Sequence, residues 1–192
     1  AKLALGTKIA AAIFVVCSLL MLLVNQLRPY ETHTGAAQAL AEAWTQRLGR
    51  ELGAGSKIAL TRLKRNYRAI LADFGKIECV PRDTVRVGVV GEIFVKYSPL
   101  GNNNLEDFLV SEGAEVEVPG LLDFCLYCVY NSIQDHRLYR RNSALKYLAA
   151  RVAWRFLLRC KRDMIACIEA DGRFRAPTPF EETVTLAQGY LG

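Results

Sequence analysis

The sequence predicts an α/β protein in which an incomplete parallel sheet, followed by long helices, stands behind an all-helical N-terminal subdomain. Three observations lead there. Apolar residues recur at helical spacing through the first eighty positions. Valines then cluster at Val85, Val87, Val89 and Val90. Finally, "VRVGVVGEIFVKYSPLGNNNLEDFLVSEGAEVEVPG", Val85 to Gly120, reads as strand, glycine-and-asparagine loop, short helix and second strand. The break at Pro81 divides the chain into a helical subdomain, 1–80, and an α/β unit, 81–192. With 192 residues, 52% hydrophobic and 23% charged, the chain can bury a core without disulfide staples and is not disordered.

The first element is the apolar run from Ile9 to Val24. Lys2 and Lys8 precede it like the basic end of a signal anchor, but no small-x-small cleavage pattern follows. Its sixteen uncharged residues fall short of the roughly 20 that a spanning helix needs. The expectation is a helix packed in a protein core against Trp44 and Tyr67, with no membrane contact. Leu40, Trp44, Leu48 and Leu52 mark a second helix, and Leu60, Leu63, Tyr67, Ile70 and Phe74 a third. Gly53 to Ser56 separate them, with Ser56 as N-cap.

In the α/β unit, the near-continuous apolar character of "VRVGVVG" suits a strand covered on both faces. Asn103 followed three residues later by Glu106 predicts a capping-box start for a helix carrying Leu105, Phe108 and Leu109, and Gly113 predicts its end. "AEVEV" is the second strand, parallel to the first through a right-handed crossover. Two strands leave the sheet open, so further strands are expected beyond Gly192 or from another chain, an open edge through which the protein would oligomerise.

A strand–loop–helix unit raises the question of a nucleotide site. Five residues on from Gly88 and Gly91 stand Ile93 and Lys96, so the Walker A pattern fails, and no third glycine completes a dinucleotide fingerprint. What remains is position, because residues just past a parallel strand's carboxyl end sit where α/β folds place ligands. That makes Glu92, Lys96, Tyr97, Ser98, Asn102, Asn103 and Asn104 the ligand-binding candidates. Lys96 beside a helix start favours a carboxylate or single phosphate, and Glu92 disfavours a triphosphate. The plain alternative is a helix cap with a solvated lysine.

The net charge of +6 is concentrated. From His136 to Arg175 there are eleven Lys and Arg against three Asp and Glu, which leaves the rest slightly acidic. A helix from about Ser143 to Ala170 carries Leu145, Ala149, Val152, Phe156, Cys160 and Cys167 on one face, and Arg151, Arg155, Arg159 and Arg162 on another. The arginine face is either a solvated surface or a dock for an acidic partner. No nucleic-acid motif accompanies it. Six cysteines are too few for a secreted disulfide scaffold and point to a reducing compartment. Cys125 and Cys128 form a lone C-x-x-C, a weak candidate for metal ligation that lacks a second half.

"RPYE" at 28–31, "VGVVGEIFVKYSPLGNNNLEDFLVSEGAEVEVPG" and "LLDFCLYC" together resemble the 2-hydroxyacyl-CoA dehydratase-like segment of the activase-related proteins of anaerobic bacteria. The resemblance spans about Arg28 to the end, and its most specific blocks are "GEIFVKY" and "GNNNLE". It implies Rossmann-like α/β units with helical additions, a cytoplasmic location, and a piece of a longer protein that would be inactive alone. ATP and [4Fe-4S] clusters are implied for that longer protein, with no cofactor on this stretch itself. The implied function is a part in ATP-driven, low-potential electron transfer acting on acyl-CoA thioesters, with acyl-CoA and the rest of the same chain as partners. The competing reading is a non-enzymatic ligand-sensing or protein-interaction module whose arginine face and strand-end loop bind a partner or metabolite.

Overall fold

The computed structural model describes residues 5–53, 60–140 and 143–191, with the side chains of 5–11, 52–53, 60–61 and 190–191 left aside. Three long helices come first: α1 (Leu5–Leu27), α2 (Ala36–Gly53) and α3 (Leu60–Phe74). On α1, Val15, Leu19 and Leu23 are fully buried, and the polar Ser18 and Asn25 are buried with them. No helix among the described residues is long and apolar enough to cross a membrane. The stripe on α3 is core: Leu63, Tyr67, Ile70 and Phe74 are buried, joined by Leu71. At about 1.5–3 kcal/mol for each large apolar side chain, this stripe is a main source of stability. Trp44 of α2 is buried too, alongside Ala37 and Ala41. The expected Ser56 cap lies outside the described residues.

After Pro81 the chain forms β1 (Arg86–Gly88), α4 (Ile93–Tyr97), α5 (Pro99–Asn102), α6 (Leu105–Ser111) and β2 (Glu115–Glu117). β1 and β2 pair in parallel, Arg86 with Glu115, Val87 with Val116 and Gly88 with Glu117. Val89, Val116 and Val118 make a small core, packed by Tyr97, Leu105, Leu109 and Val110.

Here the predicted fold class needs correction. The molecule is mostly helical, and the sheet is confined to two strands of three residues each, so this is not a Rossmann-like α/β fold. The reason lies in the valine run. Val85 and Val90 are 74% and 79% exposed, and Val89 alone of the four valines is buried. An apolar run signals a strand covered on both faces only when helices cover it. The helical segments between the strands, α4 to α6, run to at most seven residues each.

The remaining elements are α7 (Leu121–Tyr139), α8 (Ala144–Asp171) and α9 (Phe180–Leu191). α8 starts at Ser143, whose hydroxyl accepts from the Lys146 N–H, and ends at Gly172, which takes the left-handed conformation at φ 72°. The predicted core face of α8 holds only in its second half. Leu157, Leu158, Cys160, Met164, Ile165, Cys167 and Ile168 are buried, but Leu145 is 77% exposed. The chain divides into two compact units, one of residues 16–53 and 66–120, the other of residues 5–15, 60–65 and 121–191.

Candidate functional site

The two candidate regions lie in different units and are built differently. In the first unit the strand-end loop spends its polar groups on its own backbone. The Glu92 carboxylate caps α4 by accepting from the Phe94 N–H at 2.8 Å. Ser98 caps α5, its hydroxyl accepting from the Gly101 N–H at 3.3 Å. Tyr97 donates its hydroxyl to the Pro119 carbonyl. The Lys96 ammonium lies over the Tyr97 ring, 4.6 Å from its centroid.

The capping-box expectation at Asn103 is also corrected. Asn103 closes α5, and Asn104 precedes α6, both left-handed at φ 54° and 55°. The side chain that accepts from the Leu105 N–H is that of Asn102, at 3.2 Å. Asparagine is among the few residues that adopt this backbone at low cost, so the triplet serves as a two-residue corner between short helices. Gly113, at φ 82°, follows α6 as expected of a helix-ending glycine.

"RPYE" is fastened to this same loop-and-strand region. Arg28 donates to the Asp107 carboxylate at 2.6 Å, and Tyr30 donates to the Glu115 carboxylate at 2.7 Å while meeting the Thr84 hydroxyl at 2.5 Å. The buried Glu31 accepts from the Gly35 and Ala37 N–H groups at 2.5 and 2.9 Å, which satisfies the start of α2. Its backbone also bridges Cys79 in antiparallel fashion. Asn25 hydrogen-bonds Glu106, whose carboxyl is nevertheless raised above its usual range by burial.

In the second unit the arginines converge. Arg137 from α7 and Arg151, Arg155, Arg159 and Arg162 from α8 line one cleft of about 620 Å³, with Tyr130, Trp154 and Asp163 among its other walls. All five arginines are exposed. The helical steps between the α8 members place them along one side of the helix, while Lys161, on a different face, is buried and donates to Asp123 of α7. Asp163 does little to neutralise the cleft, because it pairs with Lys64 at 2.9 Å. Arg162 pairs with Glu181 at 2.6 Å. Arg155 and Arg159 form no ion pair among the described residues.

At one end of the cleft the Tyr147 phenol is held below its ordinary pKa by a hydrogen bond from Arg137, with slight desolvation opposing and the charge of Arg151 assisting. His136 stacks on Tyr147 with ring centres 4.3 Å apart. Behind the wall formed by Trp154 and Tyr130, Phe180 meets Trp154 edge-on at 5.4 Å and Tyr130 at 6.0 Å. Arg137, Tyr130, Trp154 and Phe180 were not among the sequence candidates. Arg137 sits four residues after Ile133, which is buried, and the basic last turn of α7 was its available signal.

Cys125 and Cys128 share a face of α7, half-buried and exposed respectively. Burial, and then the neighbouring Cys128, raise the Cys125 thiol above its ordinary value, which disfavours the thiolate that binds metals. Among the described residues no group of three or more His, Cys, Asp or Glu is placed to hold a metal ion. No family model, no curated protein and no solved structure matches this chain.

Proposed function

We propose that this chain is a non-catalytic binding module of an activase-related, 2-hydroxyacyl-CoA dehydratase-like system, and that its working surface is the arginine cleft. The observation that carries the binding role is the convergence of five exposed arginines from two helices on one cleft, of which only Arg162 has an ion-pair partner among the described residues. A guanidinium fork pairs with carboxylate or phosphate oxygens in bidentate fashion, so such a cleft selects an anionic group. In this reading ATP hydrolysis, [4Fe-4S] electron transfer and acyl-CoA chemistry belong to other parts of the system.

What supports the context is the resemblance, together with a physical reason for its blocks to occur together. "RPYE" holds the helix after "GNNNLE" through Arg28 and Asp107, and holds β2 through Tyr30 and Glu115. The strand-end loop has no part in the proposed binding, since its side chains cap their own helices.

The binding role is tested with short polyglutamate and inorganic pyrophosphate, titrated at low and moderate salt. At least one should bind, with affinity that falls as salt rises. Arg155→Ala with Arg159→Ala should abolish binding, and Lys96→Ala should leave it unchanged. Dependence on Lys96, or no binding of either anion, would sink the cleft reading. The context is tested apart from it. Deleting the encoding gene should remove ATP-dependent dehydration of 2-hydroxyacyl-CoA from anaerobic extracts, and undiminished activity would reject that assignment.

A further inference from the structure

We infer that the occupant of the arginine cleft is an acidic peptide segment of a partner protein, with an aromatic residue beside alternating carboxylates. The inference rests on the anion-binding reading above and names the partner's chemistry. The protein's own chain displays the arrangement in miniature. Phe180 is buried against Trp154 and Tyr130, and the next residue, Glu181, pairs with Arg162. Phe180 and Glu181 lie outside the cleft lining, yet they show adjacent residues giving an aromatic ring to Trp154 and a carboxylate to Arg162.

From Arg162 the other guanidinium-bearing residues of α8 recede in steps of three, four and four to Arg151. At 1.5 Å per residue that is roughly 16 Å of helix, in steps of about 5–6 Å. Carboxylates on alternate residues of an extended chain stand about 6.6 Å apart, close to the same step. A single phosphate or pyrophosphate would cover only part of the row and leave further arginines facing one another. Arginine in place of lysine at every lining basic position fits bidentate carboxylate recognition. Trp154, on the same helix between Arg151 and Arg155, adds the apolar wall that an aromatic anchor needs.

The test uses the whole chain and a fluorescein-labelled peptide with one tryptophan followed by alternating glutamates, read by anisotropy at moderate salt. A second peptide replaces the glutamates with glutamines, and inorganic pyrophosphate serves as competitor. The glutamate peptide should bind at least tenfold more tightly than its glutamine counterpart, and Arg155→Ala and Arg159→Ala should each weaken it by about tenfold, the loss of one charge-assisted pair. Circular dichroism should stay unchanged, since both side chains are exposed. Glu181→Gln should tighten binding by releasing Arg162. Equal affinity for the glutamine peptide, or indifference to both arginine substitutions, overturns the inference. If pyrophosphate binds in an arginine-dependent way and the peptide does not, the peptide class is wrong and the anion-binding reading stands; if neither binds, both fall.

Discussion

The strand-end loop and the arginine cleft were both legible as polar clusters, yet the structure uses them in opposite ways. In the loop, Glu92, Ser98 and Asn102 have short side chains close to their own backbone, and each closes a hydrogen bond within three residues. On α8 the arginines project from a continuous helix whose backbone is already satisfied, so their guanidinium groups must look outward for partners. Short polar residues at helix ends are absorbed by the fold. Long cationic residues along a helix side are not.

The largest effect that would sharpen this comparison lies inside α8 itself. Lys161 is buried and paired with Asp123, next in sequence to the exposed Arg162. Lys161→Ala should cost about 3 kcal/mol of stability by stranding a carboxylate, whereas Arg159→Ala should cost less than ~0.5 kcal/mol. Urea denaturation of the two variants decides it, and comparable losses would mean that the arginine face is structural after all. Next comes Glu31→Ala, which removes two N–H partners at the start of α2. A loss of about 2 kcal/mol is expected; a stability within experimental error of the parent would refute that cap.

Smaller still is Glu92→Ala, expected to cost about 1 kcal/mol as an exposed helix cap and to leave anion affinity unchanged. A change in affinity would restore the loop as a binding site. The last prediction concerns cysteine chemistry. Burial, reinforced by Asp163 and opposed by Arg159, pushes the Cys160 thiol up to about 11 from an ordinary 9.0. The folded state therefore holds this proton more tightly than the unfolded state, and its contribution to stability is present below pH 9 and lost as pH rises through about 11. At pH 8 iodoacetamide should label the exposed Cys128 well before Cys160, as read by peptide mass spectrometry. Equal labelling would show that the second half of α8 opens readily.

The helix stripes were readable because burial and a 3.6-residue period coincide on α3, where Leu63, Tyr67, Ile70 and Phe74 all face the core. The arginine row was readable for the same geometric reason. Strand extent was not, because a run of valines carries no record of whether helices will cover it; Val85 and Val90 are exposed. Asn103 and Glu106 satisfied the capping-box spacing, but spacing says nothing about φ, and two successive left-handed asparagines moved the corner by one residue. Phe180, Tyr130 and Trp154 meet only through tertiary packing between residues that lie far apart in the chain.

The bond between Tyr30 and Glu115 joins residues 85 positions apart. α7 and α8, by contrast, are separated only by residues 140–143. Closing the longer loop costs more chain entropy, and during synthesis it must wait for the second strand to emerge. At roughly 5–20 residues per second, on the order of ten seconds pass on the ribosome between the emergence of Tyr30 and that of Glu115. A nascent chain arrested before Glu115 should therefore be readily cut by protease within residues 16–114, and one in which Gly120 has cleared the exit tunnel should resist. Equal cleavage of both would show that this unit closes without the Tyr30 tether.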